Sequence, residues 1–198
     1  MDINAFRSWF IVGCLALMLL AVAPTLTLFV HVPSGAKSFS ELWLLGSGHK
    51  AEGYPFNVTT SETYSVYVGV GNNQGSSAYY EILVKLRNQT ESLPNPSSSE
   101  PSSLPPVFEF RAFVGNGEVW ETKLMFSISE MTQYGNAFSV KRLSVNEMSF
   151  STNSVAKWDA QRKGVFYQLF FELWLYNTTS HDFQFHNRFV GIWLNITS

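Results

Sequence analysis

From Val165 to Leu175 every second residue is apolar: Val165, Tyr167, Leu169, Phe171, Leu173 and Leu175 fall on one side of an extended chain. A period of two is what a strand with one buried face requires; a helix would scatter the same residues around its circumference. The alternation recurs at Tyr64, Val66, Val68 and Val70, and at Tyr80, Ile82, Val84 and Leu86. It recurs again at Val190, Ile192, Leu194 and Ile196, after a turn over 177–182. Shorter strands are expected over 107–113, 119–127 and 138–145, with Gly115-Asn116-Gly117 as a turn. The run Gly71-Asn72-Asn73-Gln74-Gly75 reads as a hairpin loop joining the strand at Tyr64 to that at Tyr80. No sustained 3.6-residue period follows the N-terminal apolar segment. About eight strands at this spacing predict an antiparallel β-sandwich.

The chain has 198 residues with a net charge of −2, 45% apolar, 16% aromatic and only 14% charged residues. So much apolar material at so little charge excludes a disordered chain. The near-neutral balance argues against a nucleic-acid partner. A single cysteine, Cys14, excludes a disulfide scaffold and a Cys-rich zinc module.

No Asp, Glu, Lys or Arg lies between Arg7 and Lys37, and the apolar run covers 9–32. As a helix it would measure about 36 Å, enough to cross a bilayer with some tilt. Pro24 is tolerated in such a helix, and Trp9 and Phe10 suit its interfacial end. The rival reading is a cleaved signal peptide. Against it, Pro24 would follow the cut after Ala21-Val22-Ala23, and the apolar run is too long. Residues 1–8 are therefore expected in the cytoplasm, 9–32 in membrane lipid as one transmembrane helix, and 33–198 outside the cell. Arg7 and the α-amino group set this orientation by a narrow margin.

Four Asn-x-Ser/Thr acceptor sequons, at Asn57, Asn88, Asn177 and Asn195, all lie on the side that this orientation exports. Each would equally suit a polar turn. An exported region with sequons and no cysteine points toward an archaeal cell surface. Within it, Ser92–Pro106 (SLPNPSSSEPSSLPP) has no aromatic residue and is dense in Ser and Pro. That composition predicts a disordered, solvated loop within one sandwich, with two small domains as the alternative.

Candidate chemistry is sparse. His181, Asp182 and His186 form the densest histidine cluster, but positions five apart on one strand face opposite sides, and no further ligand is near. There is no Gly-x-Ser-x-Gly elbow, and the 69–75 glycines do not match a phosphate-binding loop. Glu109, Glu118, Glu121, Glu130 and Glu172 are scattered rather than paired. Lys141, Arg142, Lys157, Arg162 and Lys163 read as solvated loop charges. No enzyme activity, metal or cofactor is expected. A strip of aromatics on the mixed strand faces remains: Phe166, Phe170, Trp174 and Tyr176 on one strand, Phe189 and Trp193 on the next. It would pack under a loop, form a partner interface or stack on sugars.

The segment Glu41-Leu42-Trp43-Leu44-Leu45-Gly46, followed by Gly48-His49-Lys50-Ala51-Glu52-Gly53-Tyr54-Pro55, Asn57 and Val68-Gly69-Val70, resembles the exported part of archaeal predicted membrane proteins of domain-of-unknown-function family 1616. Gly117-Glu118-Val119-Trp120-Glu121 and Ile192-Trp193-Leu194 are similar in a less specific way, so the resemblance extends over about 41–196. The resemblance implies an immunoglobulin-like sandwich outside the cell and implies no activity. Members often carry several spans, whereas this chain has one, and the Ser/Pro loop looks like an insertion. The expected function is structural or interactional: an anchored envelope domain, or an accessory subunit that contacts a membrane or surface-layer protein. The alternative is a module that binds envelope glycans or another extracellular ligand.

Overall fold

The computed structural model describes residues 38–197. The expected cytoplasmic residues and the apolar run at 9–32 lie outside them. Among the described residues no helix is long and apolar enough to cross a membrane. The described residues, 38–197, form one compact unit.

Ten strands follow in chain order: β1 Phe39–Leu45, β2 Asn57–Thr59, β3 Tyr64–Asn73, β4 Ala78–Asn88, β5 Phe108–Val114, β6 Val119–Tyr134, β7 Ala137–Val145, β8 Met148–Lys157, β9 Phe166–Asn177 and β10 Asp182–Thr197. They build two five-stranded sheets, β1-β3-β6-β7-β8 and β2-β10-β9-β4-β5. The alternation seen in the sequence is what closes them on each other. Val66, Val68, Leu124, Ile128 and Leu143 of the first sheet are fully buried against Tyr80, Ile82, Tyr167, Leu169 and Leu173 of the second. Each such side chain contributes about 1.5–3 kcal/mol on leaving water. The order β10-β9-β4-β5 is that of the G, F, C and C′ strands of an immunoglobulin sandwich. The opposite sheet departs from that pattern, because β7 and β8 extend it as a meander after β6.

Tyr167 ties the layers together. It stands near the start of β9, and its hydroxyl reaches Phe138 O (2.6 Å) and Ser154 O (3.0 Å) while accepting from Ala156 N (3.0 Å). Burial pushes this phenol up to about 12.

The expectations need four corrections. Residues 71–75 are not a hairpin loop, since β3 and β4 belong to different sheets. Both strands bury their apolar sets, so they face each other across the core rather than pairing edge to edge. Second, the sandwich is not wholly antiparallel. The first strand is split: β1 pairs antiparallel with β3, then the chain crosses over and β2 runs parallel to β10.

Third, the Ser/Pro segment is not disordered. Asn95 and Glu100 exchange backbone hydrogen bonds, and Ser102 is buried against the second sheet. Prolines fix an extended course, and polar groups beneath it supply the partners that an apolar sequence would lack. Fourth, β8 was not foreseen, because its sequence MSFSTNSVAK lacks a clear apolar face. It is an edge strand joined to β7 through Asn146 and Glu147, both at positive φ (47° and 68°), as a two-residue hairpin requires.

Candidate functional site

Of the three readings open for the aromatic strip on the mixed faces of β9 and β10, the structure favours packing, because most of the strip is covered. Phe170 is fully buried and Phe166 is buried. Gly191 stands opposite Phe170, where an added Cβ would come within 2.7 Å of the Phe170 Cβ. Trp174 packs on Phe185 with centroids 6.0 Å apart, and Tyr176 packs on Phe183 (5.4 Å) and Tyr79 (6.1 Å). Trp174, Tyr176 and Phe189 are half-buried, and Trp193 is 37% exposed.

The middle of this face is polar and sealed. Lys85 Nζ lies 2.9 Å from Glu172 Oε2, both side chains being withdrawn from water. Ser102 closes over them: its carbonyl accepts from Lys85 Nζ and its N–H donates to Glu172 Oε1, each at 2.8 Å. Trp174 Nε1 donates to Glu172 Oε2 at 3.1 Å. Beside it, Arg87 Nε donates to Gln168 Oε1 at 2.7 Å, and the guanidinium sits 5.1 Å over the Trp193 ring. In the sequence Glu172 is one of several scattered carboxylates, and its pairing with Lys85 emerges only from the fold. The available signal was a Lys and a Glu placed on the mixed faces of two apolar strands.

Two exposed aromatics, Phe56 and Trp193, lie at the seam where β1 of one sheet meets β10 of the other. The crossover between β1 and β2 forms one wall. Tyr54 OH donates to Leu44 O (2.7 Å), Gly46 N donates to Lys50 O (2.8 Å) and His49 N donates to Gly46 O (3.0 Å). Gly53 turns the chain at φ 68°, into Tyr54-Pro55. A groove of about 530 Å³ results, lined by Leu42–Leu44, Tyr54–Phe56 and Val190–Trp193. Phe56, 50% exposed, and Trp193 divide it from a second hollow of about 450 Å³ that also touches Phe166, Arg162 and Asn195.

Beside the groove, the signature residues Trp43 and His49 converge on Glu121. Trp43 lies on the Gly69 backbone and donates its indole N–H to Glu121 Oε2 at 3.1 Å. His49 Nδ1 is 3.0 Å from Glu121 Oε1, and its ring stacks 3.6 Å from that of Tyr67. These contacts lock the crossover onto the first sheet and so shape the groove. Of the groove residues, Trp193 belongs to the aromatic strip legible in the sequence, whereas Leu42 and Phe56 do not. Tyr54-Pro55-Phe56 contained a usable signal, an aromatic pair flanking a rigid turn.

The sequons fall in different environments. Asn57 is exposed on β2, and its Oδ1 accepts from Asn195 Nδ2 at 3.0 Å. Asn195 is half-buried, and its Oδ1 accepts from Val165 N. Asn177 caps the β9–β10 turn by accepting from Thr179 N at 2.8 Å. Asn88 is buried and donates to Val155 O at 2.8 Å, so this acceptor is not at the surface. His181 occupies an exposed turn at φ 55°, while His186 is half-buried with Nε2 3.2 Å from Gln74 Nε2. Burial, aided by Arg188, holds His186 below its ordinary value. Among the described residues no three His, Cys, Asp or Glu side chains are grouped to hold a metal ion.

Solved structures with similar chain traces include a β-glucosidase from Listeria innocua in complex with gluconolactone. It has 11% identity and a TM-score of 0.37, over 81% of this chain and 16% of the enzyme. This chain thus spans 16% of the glucosidase's length. The CARDB domain of a Pyrococcus furiosus protein, solved in complex with di-metal ions, has 8% identity and a TM-score of 0.39, covering 82% of this chain and 90% of that one. A PapD-like domain of human CEP192 has 9% identity and a TM-score of 0.30, covering 80% and 84%. No curated protein matches. Residues 33–137, more than half of the chain, match a single family and include the crossover, Trp43, Gly69 and Glu121; the chain belongs to the domain of unknown function family DUF1616.

Proposed function

We propose that the protein is a non-catalytic surface protein, anchored through 9–32 with its N-terminus in the cytoplasm. On this reading its sandwich serves as an interaction domain that docks an apolar segment of a membrane or surface-layer protein. The observation that carries this reading is the seam groove. Leu42, Tyr54, Pro55, Val190 and Ile192 give it an apolar lining with few polar groups. That suits apolar side chains of a protein segment better than a sugar, which needs partners for its hydroxyls. The uncharged run at 9–32 and the sequons downstream support the anchored, exported placement.

A second reading, a module for envelope glycans, is favoured by the hollow beyond Trp193, where Phe56, Phe166, Arg162 and Asn195 combine aromatic and polar groups.

The test is crosslinking mass spectrometry on native membranes, with a photoreactive residue replacing Val190 in the full chain. Recurrent crosslinks to one protein, lost when Phe56→Asp is added, support the docking reading. Their absence, with export verified by protease shaving of intact cells, overturns it and brings the glycan reading forward.

A further inference from the structure

We propose that Asn57 carries an N-linked glycan whose first sugar seats in the aromatic hollow beside it; the inference rests on the exported placement proposed above. Three observations about the β2–β10 edge carry it.

The first is selectivity between neighbouring acceptors. Asn57 and Asn195 are register partners, and both begin an acceptor sequon. Asn195 spends its Nδ2 on Asn57 Oδ1 and its Oδ1 on Val165 N. No partner occupies Asn57 Nδ2 among the described residues, and the fully buried Val58 next to it turns Asn57 outward. The same hydrogen bond orients the Asn57 amide.

The second is the hollow itself, which lies along Asn195 and is walled by Phe56, Trp193 and Phe166 with Arg162 at its rim. Trp193 and Asn195 are two residues apart on β10 and therefore share its outward face, one strand from Asn57. A pyranose on Asn57 would lay its C–H face on the aromatic wall and its hydroxyls toward Arg162. The third is that Phe56 and Trp193 are 50% and 37% exposed at this point, an apolar surface that a covalently tethered sugar would cover without a second molecule.

The transfer uses a lipid-linked, phosphorylated oligosaccharide as donor. Asn57 Nδ2 attacks the anomeric carbon, a C–N bond forms as the C–O bond to phosphate breaks, and the lipid phosphate leaves, taking up the proton that Nδ2 releases.

The test is intact glycopeptide mass spectrometry on the full chain from native membranes, combined with hydroxyl-radical footprinting of Trp193 and Phe56. Protease shaving of intact cells reports export separately. The expected result is a glycan at Asn57 and none at Asn88 or Asn195. Thr59→Ala, which destroys the sequon and leaves the Asn57–Asn195 hydrogen bond in place, should raise oxidation of Trp193 severalfold. An unmodified Asn57 in a chain shown to be exported overturns the proposal and leaves the exported placement standing. A glycan at Asn57 with oxidation of Trp193 unchanged in the variant overturns the seat. Resistance to shaving, with all four sequons unmodified, overturns both readings.

Discussion

Replacing Lys85 with Met tests whether the sealed polar centre on the outer face of the second sheet is an ion pair that depends on both partners. In the parent, Glu172 has no contact with water and is held by Lys85 at 2.9 Å, Ser102 N at 2.8 Å and Trp174 Nε1 at 3.1 Å. Lys85→Met preserves most of the side-chain volume and leaves two donors facing a carboxylate without its counter-charge. Breaking a buried pair this way costs about 3–5 kcal/mol. Removing both charges, in Lys85→Met/Glu172→Leu, is expected to restore stability to within about 1 kcal/mol of the parent, because two desolvation penalties disappear with the attraction. The loop responds differently. Ser102 keeps its bond to Glu172 in the single variant and loses both bonds in the double. Urea unfolding of the full chain in detergent, followed by tryptophan fluorescence, reads the first quantity; hydrogen exchange of the Ser102 amide reads the second. A stable double variant with a rapidly exchanging Ser102 is the expected pattern. A single variant within about 1 kcal/mol of the parent, or a double variant less stable than the single, would refute the argument.

Gly69→Ala places a Cβ 2.3 Å from the Trp43 ring, and overpacking of this kind costs about 1–3 kcal/mol; a lower Tm is expected, recovered when Trp43→Leu is added. Tyr167→Phe strands the backbone groups that the hydroxyl serves, at about 1–3 kcal/mol. Because the folded phenol is pushed up to about 12, it stabilises the fold fully below the unfolded value near 10 and loses that contribution as pH rises through the folded one. The alkaline limb of a stability–pH curve should therefore flatten in the variant. His186 is shifted the other way, by burial and by Arg188, with Gln74 as its hydrogen-bond neighbour. Its contribution is intact above the unfolded value near 6.5 and falls as pH drops through the lower folded value, a slope that His186→Gln should remove.

The parts of the fold that were legible are those where one residue decides one side of a strand. The apolar faces of β3, β4, β9 and β10 needed no knowledge of their neighbours, and the β9–β10 turn followed from where the alternation stopped. What pairs with what was not legible. A glycine- and asparagine-rich turn between two apolar strands is chemically the same whether it makes a hairpin or a corner between sheets. Asn72 decides the case here: its side chain donates to Ser76 O and Val114 O, which fixes the corner from inside. The mixed face of β9 misled for a related reason. Glu172 and Gln168 read as solvent-facing until Lys85 and Arg87, some eighty residues earlier, are placed opposite them. Composition likewise could not show that Ser102 finds its partners in that pair. The groove was half legible: its crossover wall lay in the family signature, but the opposite wall is supplied by β10.

The split first strand has a consequence for the order in which the molecule can be assembled. Leu42 pairs with Val70, 28 positions away, whereas Val58 must wait for Ile196, 138 positions later. Loop closure penalises the longer separation, and in a chain made from its N-terminus β1 and β3 emerge well before β10. The crossover would thus be docked on the first sheet through Trp43 and His49 while β2 still lacks a partner. The seam, and the groove within it, would close only after the first sheet has begun to form.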